Sequence, residues 1–89
     1  MKVLCVCGMG FGSSLMLKMT AERVLESKGV QAEVEATDIG TASSTKADLI
    51  LTNNEFASQL SGGGTEVKAI HNMASQDEVE AAIDEFLNK

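Results

Sequence analysis

Residues 3–14 read Val3-Leu4-Cys5-Val6-Cys7-Gly8-Met9-Gly10-Phe11-Gly12-Ser13-Ser14. The segment Val3 to Cys7 is continuously apolar, the pattern of a central strand covered on both faces, and Gly8 closes it. Beyond the glycines, Leu17, Ala21, Val24 and Leu25 recur at helical spacing, with Ser13 or Ser14 as the cap and Gly29 as the stop. The stretch reads as a buried strand that turns through glycines into a long helix.

Working outward, Val30 to Ala36 alternates apolar residues with Gln31, Glu33 and Glu35, as an edge strand does when one side meets water. Residues 37–47 are rich in Ser and Thr and fit either a short helix or an irregular crossover. Asp48 to Thr52 is a third strand, followed by a turn or cap at Asn53 and Asn54 and a modest helical segment to Leu60. Ser61 to Gly64 is a flexible tip, and Val67 to Ile70 is a fourth strand that ends at His71, Asn72 and Met73. Ser75 and Glu78 form a capping-box pattern, and Val79, Ala82, Ile83 and Phe86 supply one apolar helix face. Strands alternating with helices predict a small α/β domain with a mostly parallel sheet, whose ligand sits beyond the carboxyl ends of the strands. The segments after Cys7, Thr52 and Ile70 should therefore meet at one site.

With 89 residues, 44% hydrophobic and 22% charged, the chain is expected to be one globular domain over residues 1–89, too short for a two-domain dinucleotide enzyme. The net charge of -6 argues against binding nucleic acid or an anionic bilayer directly. Charge is unevenly spread: residues 1–30 balance to +2 and residues 31–89 to -8, which makes the first third the part suited to an anion. Cys5 and Cys7 stand too close on a strand to bridge, so both are expected as free thiols. The opening residues have neither the long apolar run of a signal peptide nor a membrane span, and a cytoplasmic location follows as an expectation.

The chemistry is concentrated in the loop. Gly8, Gly10 and Gly12 allow open backbone geometry, while Ser13 and Ser14 add hydroxyls beside the amides freed at a helix start. Together with Met9 and Phe11 these residues form an anion cradle with the Cys7 sulfur at its edge. N–H groups at a helix N-terminus would stabilise a thiolate and the oxygens of a phosphoryl group moving onto it, which makes Cys7 the candidate nucleophile. The alternative is a buried strand cysteine before a glycine turn. Cys5, deeper in the strand, is assigned an inert core role. Cys5, Cys7 and His71 lack the spacing of a structural zinc site, and neither a metal nor an organic cofactor is expected.

Other glycine motifs fit poorly. The mononucleotide loop G-x-x-x-x-G-K-[ST] is absent, and the third glycine of a dinucleotide fingerprint would fall at Ser13. A C-x5-R phosphatase would require Arg at Ser13, and no guanidinium fork is present in the loop. Accepting and passing on a phosphoryl group suits these residues better than rapid hydrolysis.

On these residues, MKVLCVCGMGFGSSLMLKM resembles the start of the IIB component of bacterial phosphoenolpyruvate-dependent sugar phosphotransferase systems. Within that set it is most similar to the ascorbate and galactitol group, and closest to the ascorbate type. The match is strong over residues 3–19 and weaker at Ile70-His71-Asn72-Met73, where His71 stands in place of an Arg. The resemblance implies a three-layer α/β/α domain with a four-stranded parallel sheet. It also implies phosphocysteine chemistry at Cys7, with a IIA phosphohistidine partner as donor and a membrane IIC partner presenting the sugar. Gly8, Met9, Gly10, Phe11, Gly12, Ser13 and Ser14 would surround the phosphoryl group, with His71 and Asn53 as possible rim residues.

Met9 and Phe11 are read either as a docking surface or as a lid over Cys7, and Met16 and Met19 as core packing. Glu33, Glu35, Glu78, Glu80 and Glu85 are assigned to a solvated surface. Two rival functions remain: a stand-alone thiol enzyme, either a divergent cysteine phosphatase or a reductase, and a non-catalytic regulatory domain.

Overall fold

The computed structural model describes residues 1–6, 11–60, 65–72 and 75–88. Its elements run β1 (Lys2–Val6), α1 (Phe11–Ser27), β2 (Glu33–Thr37), α2 (Ile39–Ser44), β3 (Leu49–Thr52), α3 (Asn54–Leu60), β4 (Glu66–Ala69) and α4 (Gln76–Leu87). All strand pairs are parallel, and the sheet order is β2-β1-β3-β4.

Side chains alternate across a strand, so each central strand feeds two helical layers. Val3 and Cys5 of β1, with Leu49 and Leu51 of β3, pack under α1 and α4 through Leu17, Ala21, Val24, Leu25, Val79 and Ile83. Leu4, Val6 and Ile50 face the other way, onto Ala42 of α2 and Leu60 of α3, with Ile39, Phe56 and Val67 packed against them. The result is the α/β/α sandwich expected from the sequence. Being covered on both faces is what makes β1 and β3 unbroken apolar runs. As expected for an edge strand, β2 buries Val34 and exposes Glu33 and Glu35.

The Gly29 stop has a definite geometry. The Val30 N–H donates to the Leu25 carbonyl at 3.0 Å and the Gly29 N–H to that of Glu26 at 3.0 Å, the paired bonds of a Schellman motif. Gly29 takes φ +70, a left-handed conformation that L side chains adopt only at a cost. Val30 and Leu25 then share the α1/α4 core, which completes the motif and draws Val30 out of the predicted strand. For that reason β2 begins at Glu33 rather than at Val30. Segment 37–47 resolves into the short helix α2, capped by Asp38, whose carboxylate accepts from the Thr41 N–H at 2.7 Å.

Two boundaries near the candidate loop also differ from expectation. β1 ends at Val6, one residue short of Cys7, and α1 begins at Phe11, so Ser13 and Ser14 belong to its first turn and are not its cap. Gly12 is a weak helix former by propensity, but the helix is set by the packing of the Leu17–Leu25 stripe and extends back through it.

Because no atom lies within 4 Å of the position a Gly29 Cβ would take, the cost of a side chain there is purely conformational. Gly29→Ala should lower unfolding stability by about 1–2 kcal/mol in urea titrations, and Gly29→Asn by less. An unchanged midpoint for Gly29→Ala would contradict the assignment.

Candidate functional site

From β1 the chain crosses to β2 on one side and then returns to β3 on the other, so the direction of winding reverses between β1 and β3. In parallel α/β sheets the crevice outside the carboxyl ends at such a point is where ligands bind. Val6 and Thr52, the last residues of β1 and β3, stand opposite each other in register, and Thr52 stands opposite Ala69 of β4. One further bond, from the Ile70 N–H to the Thr52 carbonyl at 2.6 Å, carries the β3–β4 pairing past the end of the strand. The three segments expected to meet therefore leave from neighbouring strand ends.

Cys7, Gly8, Met9 and Gly10 lie outside the described residues, as do the Ser61–Gly64 tip and Met73. Phe11, Gly12, Ser13 and Ser14 form the first turn of α1. The first N–H groups of a helix have no partner within it and carry its partial positive charge. That first turn contains no acidic residue, whereas α4 has Asp77 and Glu78 and α3 has Glu55 in theirs. The positive end of α1 is thus left for an anion from outside the helix.

Asn53 serves as a cap. Its side-chain oxygen accepts from the Phe56 N–H at 2.8 Å and its carbonyl from the Ala57 N–H at 2.9 Å, fixing the start of α3. His71 leaves β4, an edge strand two positions from β1 and so about 10 Å away, with its side chain largely exposed.

Glu78, expected on a solvated surface, has a task in the structure. The capping box is half formed: Ser75 Oγ accepts from the Glu78 N–H at 3.2 Å, while the Ser75 N–H is taken by the Asn72 carbonyl. Glu78 reaches instead beyond the cap, and its carboxylate accepts from the His71 N–H at 2.5 Å and the Asn72 N–H at 2.9 Å. His71 Nδ1 lies 3.2 Å from the same group. The backbone N–H groups of His71 and then Asn72 hold the Glu78 carboxyl below its ordinary range. The S-x-x-E spacing located the carboxylate, but its partners depend on the path of the β4–α4 loop, which spacing does not encode.

Charge at this end of the sheet is not what the balance of the first third implied. Lys2 opens β1 at the opposite end and pairs with Glu33 and Glu35; Lys28 follows the far end of α1 and pairs with Glu80 and Asp84. Lys18 lies seven residues into α1, about 10 Å along its axis. Any anion at the strand ends must rely on backbone N–H groups and hydroxyls more than on fixed cations.

The two methionines expected in the core are exposed. Met16 is 48% and Met19 54% accessible, alongside Leu15 at 49%, because the stripe Leu17, Ala21, Val24 and Leu25 faces the sheet and leaves these three off it. They form an apolar patch on the N-terminal half of α1. Cys5 is fully buried, and desolvation pushes its thiol up to about 12, which fits the inert role assigned to it.

The fold is a small α/β/α domain with a switch point between β1 and β3, and the sequence that follows β1 is rich in glycine. Over residues 2–85 the chain matches the family model described as the PTS system, Lactose/Cellobiose specific IIB subunit, and it belongs to that family of phosphotransferase-system IIB subunits. It is 24% identical over 88 residues to the "Ascorbate-specific PTS system EIIB component" of Mycoplasma pneumoniae, covering 96% of this chain and 93% of that one. The protein of the same name from Salmonella choleraesuis is 31% identical over 77 residues, covering 83% and 76%. Among solved structures, the lactose-specific IIB domain of Streptococcus pneumoniae aligns with TM-score 0.62 at 18% identity over 99% of this chain and 95% of that one. A low molecular weight protein tyrosine phosphatase from Bacillus subtilis shares the fold with TM-score 0.57 at 14% identity, over 99% and 91%. Among the described residues no helix is long and apolar enough to cross a membrane.

The Glu78 contacts carry a pH signature. A carboxyl whose folded pKa lies below its unfolded value adds stability that is present above the ordinary Glu range and lost as pH falls through the folded pKa. Glu78→Gln should be less stable than the parent near pH 7, and the gap should close as urea titrations are taken down below about pH 4. A gap that is constant with pH would show that the carboxylate is not what holds the loop.

Proposed function

We propose that this chain is a cytoplasmic phosphoryl carrier that accepts a phosphoryl group onto Cys7 from a phosphohistidine of a IIA partner and passes it to a sugar bound by a membrane IIC partner. In the first step the Cys7 thiolate attacks phosphorus in line. The S–P bond forms, the P–N bond breaks, and the imidazole leaves neutral after taking up a proton. In the second step a sugar hydroxyl attacks phosphorus and loses its proton, the S–P bond breaks, and the thiolate returns. Backbone N–H groups of Gly8 to Ser14, with the Ser13 and Ser14 hydroxyls, would hold the equatorial oxygens in both steps. The scheme calls for neither a metal nor an organic cofactor.

The observation that carries this reading is the family match across residues 2–85, in a chain whose β1 ends one residue before Cys7 at the switch point. The proposed sugar is ascorbate. The Mycoplasma and Salmonella proteins bear that specificity in their names, and identities of 24% and 31% over most of each chain favour it over the lactose and cellobiose of the family description. Leu15, Met16 and Met19 are exposed on the N-terminal half of α1, and the IIA donor is the partner proposed to cover them. The likeness to a tyrosine phosphatase supports a second reading, hydrolysis at Cys7, against which stands the absence of an Arg in the loop.

The test is intact-mass analysis after incubation with phosphoenolpyruvate, the two general phosphotransfer proteins and an ascorbate-type IIA protein. A single-phosphate gain should appear, persist in Cys5→Ser and vanish in Cys7→Ser. Met19→Glu should take up phosphate about tenfold more slowly at limiting IIA. No gain in the parent chain, or steady Cys7-dependent hydrolysis of an aryl phosphate, would overturn the carrier reading.

A further inference from the structure

Between the second half of α1 and the approach to β2 runs a groove of about 290 Å³. Its floor is apolar: Leu25 and Val34 are buried there, and Val30 and Ala32 pack half-exposed against the same core. Glu22 and Glu26 stand along its rim, both exposed and one turn apart on α1. The groove lies beside the start of β2, at the end of the sheet away from the switch point, and none of these residues belongs to the site described above.

Local physics gives no reason for the two acids. Like charges four apart on a helix repel, and Glu26 lies in the last turn of α1, where the helix dipole favours a cation. Neither carboxylate has an ion pair or a hydrogen bond among the described residues. Lys18 and Arg23, a turn away on the same helix, do not pair with them, and Lys2 and Lys28 are engaged by Glu33, Glu35, Glu80 and Asp84. Two unpaired carboxylates above an apolar floor fit a Lys or Arg side chain from outside the chain. Its aliphatic stem would cover Leu25, Val30 and Val34 while its charged head met the acids.

We infer that the α1–β2 groove docks a segment bearing Lys or Arg from a cytoplasmic loop of the membrane IIC partner. The inference rests on the carrier function proposed above and adds a docking surface for its acceptor. Cytoplasmic loops of membrane proteins carry an excess of Lys and Arg. This chain has a net charge of -6 and is repelled by the anionic cytoplasmic face of a bilayer, so contact at the membrane needs cations supplied by the membrane protein. A segment held in the groove leaves the strand ends clear, and leaves Leu15, Met16 and Met19 on the other half of α1 to the donor.

Phosphatidylcholine vesicles with and without a reconstituted ascorbate-type IIC protein are the probe, and co-sedimentation of the unphosphorylated chain is the readout. The parent should bind only the vesicles that hold IIC, and more weakly at about 0.5 M salt than at about 0.05 M. Glu22→Gln/Glu26→Gln should weaken binding about fivefold and Glu22→Lys/Glu26→Lys more than about tenfold. The Glu22→Gln/Glu26→Gln chain loses a repulsion, so its urea midpoint should be no lower than the parent's, and its phosphate uptake from IIA should stay within about twofold. Binding of the Glu22→Lys/Glu26→Lys chain within twofold of the parent, or no binding of the parent to IIC vesicles, would overturn the inference. Equal binding of the parent to bare vesicles would assign the contact to lipid and overturn it as well. Slower uptake from IIA with normal IIC binding in Glu22→Gln/Glu26→Gln would give the groove to the donor, with the same result. Because binding is read without phosphate transfer, these outcomes stand apart from failure of the carrier reading, which is a parent chain that takes no phosphate on Cys7.

Discussion

The pairing of β1 with β3 is the constraint on which the rest of the molecule depends. Val3, Leu4, Cys5 and Val6 lie in register with Leu49, Ile50, Leu51 and Thr52, and their side chains alternate between the α1/α4 layer and the α2/α3 layer. A slip of β1 by one residue would exchange its two faces, bringing Leu4 and Val6 against α1 and leaving both cores misfilled. The same register brings the ends of the two strands level, so that the end of β1 at Val6 and the Asn53 cap after Thr52 lie side by side at the switch point. Site and core are therefore specified together.

Around that point the chain prepares for an anion without concentrating cations. The α1 terminus carries no acid, and two of the four cations of the first third, Lys2 and Lys28, are paired at the other end of the sheet. Backbone N–H groups are fixed dipoles that need no reorganisation when charge arrives, and they hold an anion without the permanent grip of a guanidinium fork. That suits a site that must release what it receives. Relatives of the fold put it to different uses, a lactose-specific IIB domain and a tyrosine phosphatase among them, so function must be argued from the loop and its neighbours and not from the architecture.

Much of the fold was legible because it rests on local patterns. The apolar runs at residues 3–6 and 49–52, the alternation around Val34, the Gly29 stop and the Ser75 cap each have a signature of a few residues. What escaped the reading depends on long-range geometry. Val30 belongs to a helix-capping motif instead of a strand because its partner Leu25 is already in the core. Met16 and Met19 are hydrophobic yet exposed, since the sheet faces only one stripe of α1. Glu78 follows a serine at the right spacing for a capping box but spends its carboxylate on the loop before it, and nothing in DLILT told that the final hydroxyl would be buried without a partner among the described residues. The candidate site was legible as a motif and as a set of strand ends, and less so in its supporting residues.

The central claim is that the phosphoryl group resides on sulfur. Phosphorus NMR of the chain phosphorylated by its IIA donor addresses this directly, because a phosphorothiolate resonates apart from a phosphoramidate on His71 or a phosphomonoester on Ser13 or Ser14. The account predicts one protein-bound signal of the sulfur-linked type, present in the parent chain and in Cys5→Ser. A signal of the nitrogen- or oxygen-linked type as the only protein-bound species would contradict it.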